Sequence, residues 1–364
     1  MRIATLANAS VVHTRRWVEH FRARGHDVRV FSVEPPWDGA AAGAAAGFVR
    51  LPAAPLPGVL RYPLAVPRLR QALRAFAPDL VDAHFVPNYG LMGALAGRRP
   101  LSIAAWGSDL LLSAGRGPWR RARARFALER AALVLCDAEN LARAARDAGA
   151  PHANVRVIPW GVDRALFRPA RERERGLVVS ARMHEDVYDL PTLIEAFSRV
   201  LPSHAEARLV IAGDGSRRAS LERLAEAKLP RERFRFVGRL PGAELATWFS
   251  RAEVVLSASR SDSTSQSLLE AMAAGAVPVV SDIEGNREWV GEGDGARLFA
   301  PGDAAACAAA LERALADPAW REEARARNVA VIAARGDWQA NLARIEACFA
   351  ALASGRPLPP AGSP

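Results

Sequence analysis

The sequence predicts an α/β protein of two domains, each built around a parallel β-sheet. Short apolar runs that are typical of buried strands alternate with helical patterns along almost the whole chain, as in parallel sheets covered by helices. At 364 residues the chain is too long for one ordinary hydrophobic core. Apolar residues make up 50% of the chain, so two cores can be filled.

The predicted elements follow one another in a regular order. In the first half, strands are predicted at residues 3–6, 28–32, 48–51, 80–83, 101–105, 133–136 and 155–158. Helices separate them, for example at 13–24, which ends at Gly25, and at 68–76, which ends before Pro78. In the second half, strands are predicted at 177–180, 208–212, 235–237, 254–257, 277–280 and 297–299.

Composition also indicates where the chain lacks regular structure. The Gly/Ala-rich segment 38–47 is predicted to be a mobile loop, and the Arg/Glu-rich segment 171–175 an exposed linker between the halves. The predicted divisions are a first domain at 1–165, a second at 166–335, a C-terminal helix at 336–353 and a disordered, Pro/Gly-rich tail at 354–364.

Charge and cysteine content narrow the class of protein. The net charge of +10 is carried almost wholly by arginine and is compatible with nucleic acid, anionic lipid or phosphate-bearing substrates. No nucleic-acid-binding motif is present, so we expect no nucleic-acid partner. Cys136, Cys307 and Cys348 show neither metal-ligand spacing nor a disulfide framework. Without a signal peptide, and without the roughly 18 apolar residues of a membrane span, the expected location is cytoplasmic.

The segment 261–275, SDSTSQSLLEAMAAG, carries most of the chemical information. It places Asp262 eight positions before Glu270, and a Ser/Thr-rich turn leads from the first carboxylate into a helix. Apolar strands precede and follow it, and in a parallel sheet ligands bind where strand ends lead into helix starts. Asp262 can accept hydrogen bonds from sugar hydroxyls, and Glu270 from both hydroxyls of a ribose. Taken singly, the first would be a turn or cap residue and the second a solvated helix residue.

This segment resembles the E-x7-E signature of the family 4 retaining glycosyltransferases, which have the GT-B fold and use nucleotide-sugar donors. Further segments match the family in the same order, at 157–169, 209–215 (LVIAGDG), 236–240 (FVGRL), 281–290 (SDIEGNREWV) and 295–303. The resemblance covers residues 155–315 strongly and the first half more loosely. It implies two Rossmann-like domains that face a central cleft, with the acceptor on the first domain, the donor mostly on the second, and the last helix crossing back onto the first.

The resemblance implies catalytic roles for Arg182, Asp262 and Asp109. A fixed cation such as Arg182 stabilises the charge that develops on a leaving diphosphate. The family has both an arginine and a lysine here, and the alignment places Tyr188 at the lysine position. Asp262 would orient the transferred sugar. Arg182 could instead be a surface arginine, and His184 is predicted either to add charge near it or to face solvent.

The same matches imply the remaining site residues. On the donor side these are Glu270 at the ribose, Arg239 and Leu240 beside the base, Ser265, Gln266 and Ser267 at the phosphates, and Gly285 and Glu288 in the family's G-x-x-E loop. On the acceptor side they are Trp106, His84, Asn88 and His13. Trp106 replaces the histidine of the family's HGSD-like segment and can stack on a sugar ring, while Asp109 can accept from a hydroxyl. The alternatives are core packing and helix capping.

No Asp-x-Asp pair occurs, so we expect no metal, and no cofactor other than the nucleotide-sugar substrate. The resemblance implies retaining transfer, without an enzyme nucleophile, to a glycan or lipid-linked acceptor in polysaccharide or glycolipid biosynthesis. Three alternatives stay open. They are another GT-B enzyme such as a nucleotide-sugar epimerase or a phosphorylase, a non-enzymatic nucleotide-sugar binder, and a nucleic-acid binder.

A basic helix is predicted at 119–130, WRRARARFALER. Trp119, Ala122 and Phe126 recur at three- and four-residue spacing and form an apolar stripe. The surrounding arginines are Arg120, Arg121, Arg123, Arg125 and Arg130. Such a helix is typical of a surface that binds anionic lipid, which would place the protein peripherally at the inner face of the cell membrane. The alternative is that Trp119 and Phe126 pack into the first domain.

Overall fold

The computed structural model of this chain describes residues 1–36, 47–51, 58–112 and 117–360, and it confirms the predicted α/β class. It contains two compact units. The first combines Met1–Ile158 with Leu342–Pro364, and the second is Pro159–Asn341. The predicted mobile loop at 38–47 lies, except for Gly47, outside the described residues.

Within the described residues, the first unit has a seven-stranded parallel sheet. Its strands are β1 (Arg2–Leu6), β2 (Asp27–Ser32), β3 (Phe48–Arg50), β4 (Leu80–His84), β5 (Leu101–Ala104), β6 (Leu133–Cys136) and β7 (Val155–Val157). Its helices are α1 (Val12–Ala23), α2 (Gly58–Leu64), α3 (Val66–Phe76), α4 (Leu91–Ala96), α5 (Pro118–Leu128) and α6 (Glu139–Asp147). Each strand predicted in the first half overlaps one of these strands. Apolar runs predict them well because both faces of such a sheet are buried.

The second unit, in which residues 159–341 are all described, has another seven-stranded parallel sheet. Its strands are β8 (Leu177–Ala181), β9 (Arg208–Ala212), β10 (Phe234–Gly238), β11 (Val254–Ser257), β12 (Val277–Ser281), β13 (Gly291–Glu292) and β14 (Gly295–Phe299). Its helices are α7 (Leu190–Val200), α8 (Arg218–Lys228), α9 (Gly242–Arg251), α10 (Gln266–Ala273), α11 (Glu284–Arg287), α12 (Ala304–Ala316) and α13 (Pro318–Arg335). The strand β13 was not predicted, because two residues are too short for a periodic pattern.

Each sheet has a central position where the strand order changes direction. The first sheet runs β3-β2-β1-β4-β5-β6-β7, and the second runs β10-β9-β8-β11-β12-β14-β13. The connections that leave β1 and β4, or β8 and β11, therefore go to opposite sides. A crevice opens at the carboxyl ends of such a strand pair, and this is where ligands bind in open α/β sheets.

The last helix, α14 (Trp338–Ala353), ends in the first unit. Phe349 stacks on Phe21 with ring centroids 5.4 Å apart. Glu346 accepts a hydrogen bond from Arg24 Nε at 3.0 Å and lies 2.9 Å from His26 Nε2. Beyond the helix, Pro359 O accepts a hydrogen bond from Arg156 Nε at 2.7 Å. The described part of the predicted tail therefore contacts the first unit, and residues 361–364 lie outside the description.

The prediction of an exposed linker at 171–175 is wrong at Arg173. Its Nη1 donates to Ser250 O at 3.0 Å and Ala252 O at 2.9 Å, and its Nη2 donates to Ala274 O at 3.0 Å. Burial lowers the pKa of Arg173 to about 10. The guanidinium satisfies carbonyls at the ends of α9 and α10, so this charged segment belongs to the packed second unit.

Candidate functional site

The loops that follow β8 and β11 bring Arg182 and Asp262 into contact at the centre of the second sheet. Arg182 Nη2 forms an ion pair with Asp262 Oδ2. Its Nη1 donates hydrogen bonds to Ser265 Oγ at 2.5 Å and to Ser267 Oγ at 3.2 Å. The Arg182 side chain is only 8% exposed, so the surface interpretation of this arginine is wrong. The guanidinium is a fixed cation at the amino end of α10.

The loop that carries Asp262 is held from several directions. Ser281 Oγ donates to Ser259 O at 2.5 Å, and Trp289 Nε1 donates to Thr264 Oγ1 at 3.4 Å. Gly285 lies directly against this loop, since a Cβ added there would be 1.9 Å from Ser263 O. Only glycine fits this close approach of two backbones. The first carboxylate of the E-x7-E-like segment therefore has a preorganised backbone.

The turn after β9 supports the backbone of Arg182 in the same way. Arg182 N donates to Ala212 O at 3.2 Å, and Gly213 N donates to Gly238 O at 2.8 Å. Gly213 has a φ of 126°, and a Cβ there would lie 2.0 Å from Arg182 O. This is the structural reason for the first glycine of the LVIAGDG segment, to which sequence analysis assigned no role.

Gln266 and Glu270 form a second polar pair on α10. Gln266 Nε2 donates to Gly161 O at 2.9 Å and to Glu270 Oε1 at 3.4 Å. The Gly161 segment is itself fixed, because Val162 N donates to Gly336 O at 2.7 Å. Glu270 is 8% exposed, so it is not the solvated helix residue of the alternative interpretation. Its ribose-binding role stays a prediction.

The remaining donor-side residues lie on other loops of the second unit. Arg239 and Leu240 follow β10, which β9 separates from β8. Glu288 caps the short helix α11, and its carbonyl accepts a hydrogen bond from Arg335 Nη2. Arg239 is exposed, and Leu240 and Glu288 are half-buried, so all three positions are accessible from solvent.

Three of the acceptor-side residues meet at the carboxyl edge of the first sheet. The Trp106 ring centroid lies 5.6 Å from that of His13 and 5.5 Å from that of His84. His84 ends β4, and its Nε2 is 3.0 Å from Asp82 Oδ2, which also accepts from Trp17 Nε1 at 3.1 Å. Asp82 is fully buried and was not singled out from the sequence. The cluster lies at the switch point between β1 and β4, where a ligand is expected.

Two other candidates of the first unit, Asp109 and Asn88, lie outside this group of three rings. Asp109 is 1% exposed, and burial raises the pKa of its carboxyl to about 6. Its oxygens accept hydrogen bonds from Val86 N at 3.0 Å and from Trp106 N and Leu110 N, each at 3.1 Å. The structure thus shows the capping arrangement of the alternative interpretation, and a contact to a sugar hydroxyl stays a prediction. Asn88 lies in the helical turn Phe85–Gly90 that follows β4.

The solvent-facing interpretation of His184 is wrong. This residue is completely buried, and its ring meets Phe236 edge-on with centroids 5.7 Å apart. Burial lowers the pKa of the His184 imidazole, which disfavours the cationic form. Positive charge beside Asp262 therefore comes from Arg182 and not from this histidine.

Tyr188, which replaces the lysine of the family pattern, contacts the arginine instead. The centre of its ring is 4.2 Å from the guanidinium carbon of Arg182.

Among the described residues, no group of three or more His, Cys, Asp or Glu side chains is arranged to hold a metal ion. Within the same residues, no helix is both long and apolar enough to cross a bilayer.

Comparison with known families assigns both halves of the chain. Residues 8–161 match a family model described as a glycosyl transferase 4-like domain, and residues 164–330 match one described as glycosyl transferases group 1. The two matches meet close to the boundary between the structural units, after Ile158. The second match contains Arg182, Asp262 and Glu270.

Individual relatives are similar over much of the chain. A GDP-mannose-dependent alpha-mannosyltransferase of Mycolicibacterium smegmatis is 27% identical over 329 aligned positions, which cover 80% of this chain and 82% of the relative. A 2-deoxystreptamine glucosyltransferase of Streptomyces kanamyceticus is 31% identical over 212 positions, which cover 54% of each chain.

Solved structures share the fold. Anabaena HepE in complex with UDP-glucose superposes with a TM-score of 0.82 at 18% identity, over 97% of this chain and 100% of that one. Sucrose-phosphate synthase of Thermosynechococcus elongatus gives a TM-score of 0.84 at 20% identity, over 98% and 100% of the two chains. These similarities confirm the GT-B class of fold predicted from the sequence.

Proposed function

Because this chain belongs to the group 1 glycosyltransferases of family 4, we propose that it transfers a hexosyl group from a nucleotide-diphosphate sugar with retention of configuration. The proposed acceptor is a glycan or a lipid-linked sugar of cell-surface polysaccharide or glycolipid biosynthesis. The observation that carries this proposal is the buried Arg182 guanidinium between Asp262 and the serines of α10. Relatives named for GDP-mannose, and a solved structure that holds UDP-glucose, support a nucleotide-diphosphate sugar as donor.

The proposed chemistry follows from this geometry. When the bond between the sugar C1 and the phosphate oxygen breaks, negative charge develops on the departing diphosphate. Arg182 stabilises that charge from a fixed position, and the low exposure of its side chain strengthens the interaction. Asp262 accepts hydrogen bonds from the sugar hydroxyls and orients the ring. No side chain is assigned as nucleophile, and no metal is required in this proposal.

A binding and turnover experiment tests the proposal. The protein is titrated with UDP, GDP, ADP and dTDP in a thermal-shift assay, in which a nucleotide at 100 times its Kd adds about 2.7 kcal/mol of stability. Release of nucleotide from the corresponding sugar donors is then measured with glycan and lipid-linked acceptors. Binding without release from any acceptor would favour the non-enzymatic binder, and no binding at all would refute the proposal.

A prediction separates the two carboxylates. Glu270→Gln should weaken bare nucleotide diphosphate about tenfold or more, because a neutral amide has only one acceptor oxygen for the two ribose hydroxyls. Asp262→Asn should leave that affinity unchanged or raise it, since Asp262 competes with the phosphates for Arg182, while transfer falls. Calorimetric titration and initial rates measure both effects, with the exposed Glu244→Gln as control. Equal losses of nucleotide affinity in both variants would contradict this division.

The proposal includes a membrane-facing surface on α5. Trp119 is 82% exposed, whereas Ala124, Ala127 and Leu128 form the buried face of this helix. The alternative that Trp119 packs into the first domain is therefore wrong, although Phe126 is partly buried against the core. An exposed tryptophan beside basic residues suits the interface of an anionic bilayer, where a lipid-linked acceptor would lie.

The arginines of α5 differ in their contacts within the protein. Arg123 Nη2 donates to Pro87 O at 2.6 Å, and Arg125 Nε pairs with Glu129 Oε1 at 2.6 Å. Arg120 and Arg121 are exposed beside Trp119. These two residues are therefore the ones proposed to meet lipid phosphates.

The expected result is a charge-dependent loss of vesicle binding. Each basic residue near an anionic surface adds about 1 kcal/mol to the free energy of membrane binding. The affinity of the double variant Arg120→Gln/Arg121→Gln for phosphatidylserine vesicles at low salt should therefore be at least about tenfold lower than that of wild type. Sedimentation with anionic and neutral vesicles measures this. The double variant Arg68→Gln/Arg74→Gln removes the same charge from α3 and should bind like wild type. Binding that ignores lipid charge, salt and these substitutions would refute the lipid-binding role.

A further inference from the structure

We propose that Tyr188 is a positioning residue that keeps the Arg182 guanidinium in the orientation needed to meet a diphosphate. The inference rests on the proposed function of this site. Its basis is the cation–π contact between Arg182 and the tyrosine ring, with 4.2 Å from the guanidinium carbon to the ring centre. Both residues belong to the connection between β8 and α7, so the contact is made within one loop.

The backbone at Tyr188 is held by hydrogen bonds in its own turn and at the next residue. It ends the helical turn Asp186–Tyr188, and Tyr188 N donates to Glu185 O at 3.0 Å. The next residue, Asp189, accepts a hydrogen bond from Thr192 Oγ1 at 2.9 Å and pairs with Arg260 Nη2 at 2.8 Å. The aromatic ring therefore has a fixed base from which to orient the guanidinium.

Arg260 also connects this turn to the loop that carries Asp262. Besides its ion pair with Asp189, its backbone N donates to Val187 O at 2.8 Å. Arg260 lies two positions before Asp262 in the sequence. The turn with the tyrosine and the loop with the carboxylate are thus held together, and Arg182 is bound by both.

The contacts of Arg182 are of two kinds, and this difference gives Tyr188 its role. Asp262, Ser265 and Ser267 take hydrogen bonds from N–H groups at the edge of the guanidinium. A diphosphate would take hydrogen bonds from the same edge, so these partners must share or release them when it binds. The Tyr188 ring lies over the guanidinium carbon, and its attraction to the cation comes from the π-system, which needs no hydrogen bond from Nη1 or Nη2. The ring can therefore keep the cation in place while the hydrogen bonds of its N–H groups are exchanged.

The experiment is a double-mutant cycle on nucleotide affinity. UDP, GDP, ADP and dTDP are titrated into wild type, Tyr188→Leu, Tyr188→Phe, Arg182→Ala and Arg182→Ala/Tyr188→Leu. The diphosphate that binds wild type should bind Tyr188→Leu about tenfold more weakly. Tyr188→Phe, which keeps the ring, should bind within about twofold of wild type. In the Arg182→Ala background the leucine substitution should have almost no further effect, because the cation that the ring orients is gone.

The possible outcomes separate this inference from the proposed function. If wild type binds none of the four diphosphates, the proposed function is refuted and the inference falls with it. If wild type binds and Tyr188→Leu binds equally well, the inference is overturned while the function stands. A loss that is equally large with and without Arg182 would show that Tyr188 only supports the fold, and this too would overturn the inference.

Discussion

We expect Arg182→Ala to lower the rate of sugar transfer about a hundredfold or more, which corresponds to roughly 3 kcal/mol of transition-state stabilisation. The Arg182 side chain is 8% exposed and its guanidinium carbon lies 4.2 Å from the centre of the Tyr188 ring, so the cation is already in place when charge develops on the leaving diphosphate. Arg182→Lys should recover only part of the rate, because an ammonium group cannot reproduce the planar fork that contacts both the carboxylate and the serines.

The measurement is kcat with saturating donor, together with the melting temperature of each variant. Arg199→Ala is the matched control, since this exposed arginine of α7 pairs, among the described residues, with Glu195 one turn away in the same helix. That variant should transfer sugar like wild type. A loss below about threefold in Arg182→Ala, with the fold intact, would mean that the diphosphate is stabilised elsewhere.

Gly285→Ala should abolish most of the transfer activity although Gly285 contributes no functional group. A Cβ at this position would lie 1.9 Å from Ser263 O and 2.6 Å from Asp262 O, and both neighbours are backbone atoms. The loop must shift by about an ångström to accept the methyl group, which moves Asp262 relative to Arg182. A displacement of this size at a reacting centre costs on the order of a hundredfold in rate.

Overpacking should also lower the free energy of unfolding of this variant by about 1–3 kcal/mol, which thermal or urea denaturation measures. The control is Gly291→Ala, where the nearest atom to an added Cβ is 3.5 Å away and the contact is ordinary. Transfer by Gly285→Ala at the wild-type rate would show that the position of the 262–263 backbone does not limit catalysis.

Local sequence patterns were sufficient for the elements of this fold. Apolar runs predicted the strands because strands in parallel sheets are buried on both faces, and the run at 80–83 lies within β4, in which all residues are buried. The position of Arg182 directly after β8 also followed from sequence, since the carboxyl end of a strand is a local feature. The ordered motifs of residues 157–303 were enough to predict the family.

What the tertiary structure decided is which of these residues touch. Arg182 and Asp262 are 80 positions apart, and they meet because β8 and β11 are neighbours in the sheet. Strand order depends on how the whole core packs, and no local periodicity encodes it. The contact of Tyr188 with Arg182 could not be predicted for a related reason. The sequence shows that a tyrosine stands at the lysine position, but it does not show which side chain the tyrosine ring contacts.

Exposure was the other property that sequence left open. Arg173 belongs to a charged segment and is nevertheless half-buried, with its guanidinium donating to carbonyls at the ends of α9 and α10, whereas Trp119 has an apolar side chain and is 82% exposed. His184 is buried, and the oxygens of Asp109 accept backbone N–H groups. The type of a side chain sets the free-energy cost of burying it, but the neighbours that the fold supplies decide whether that cost is met. The residues of this site could therefore be predicted from the sequence. Their contacts and their burial depend on the packing of each folded unit.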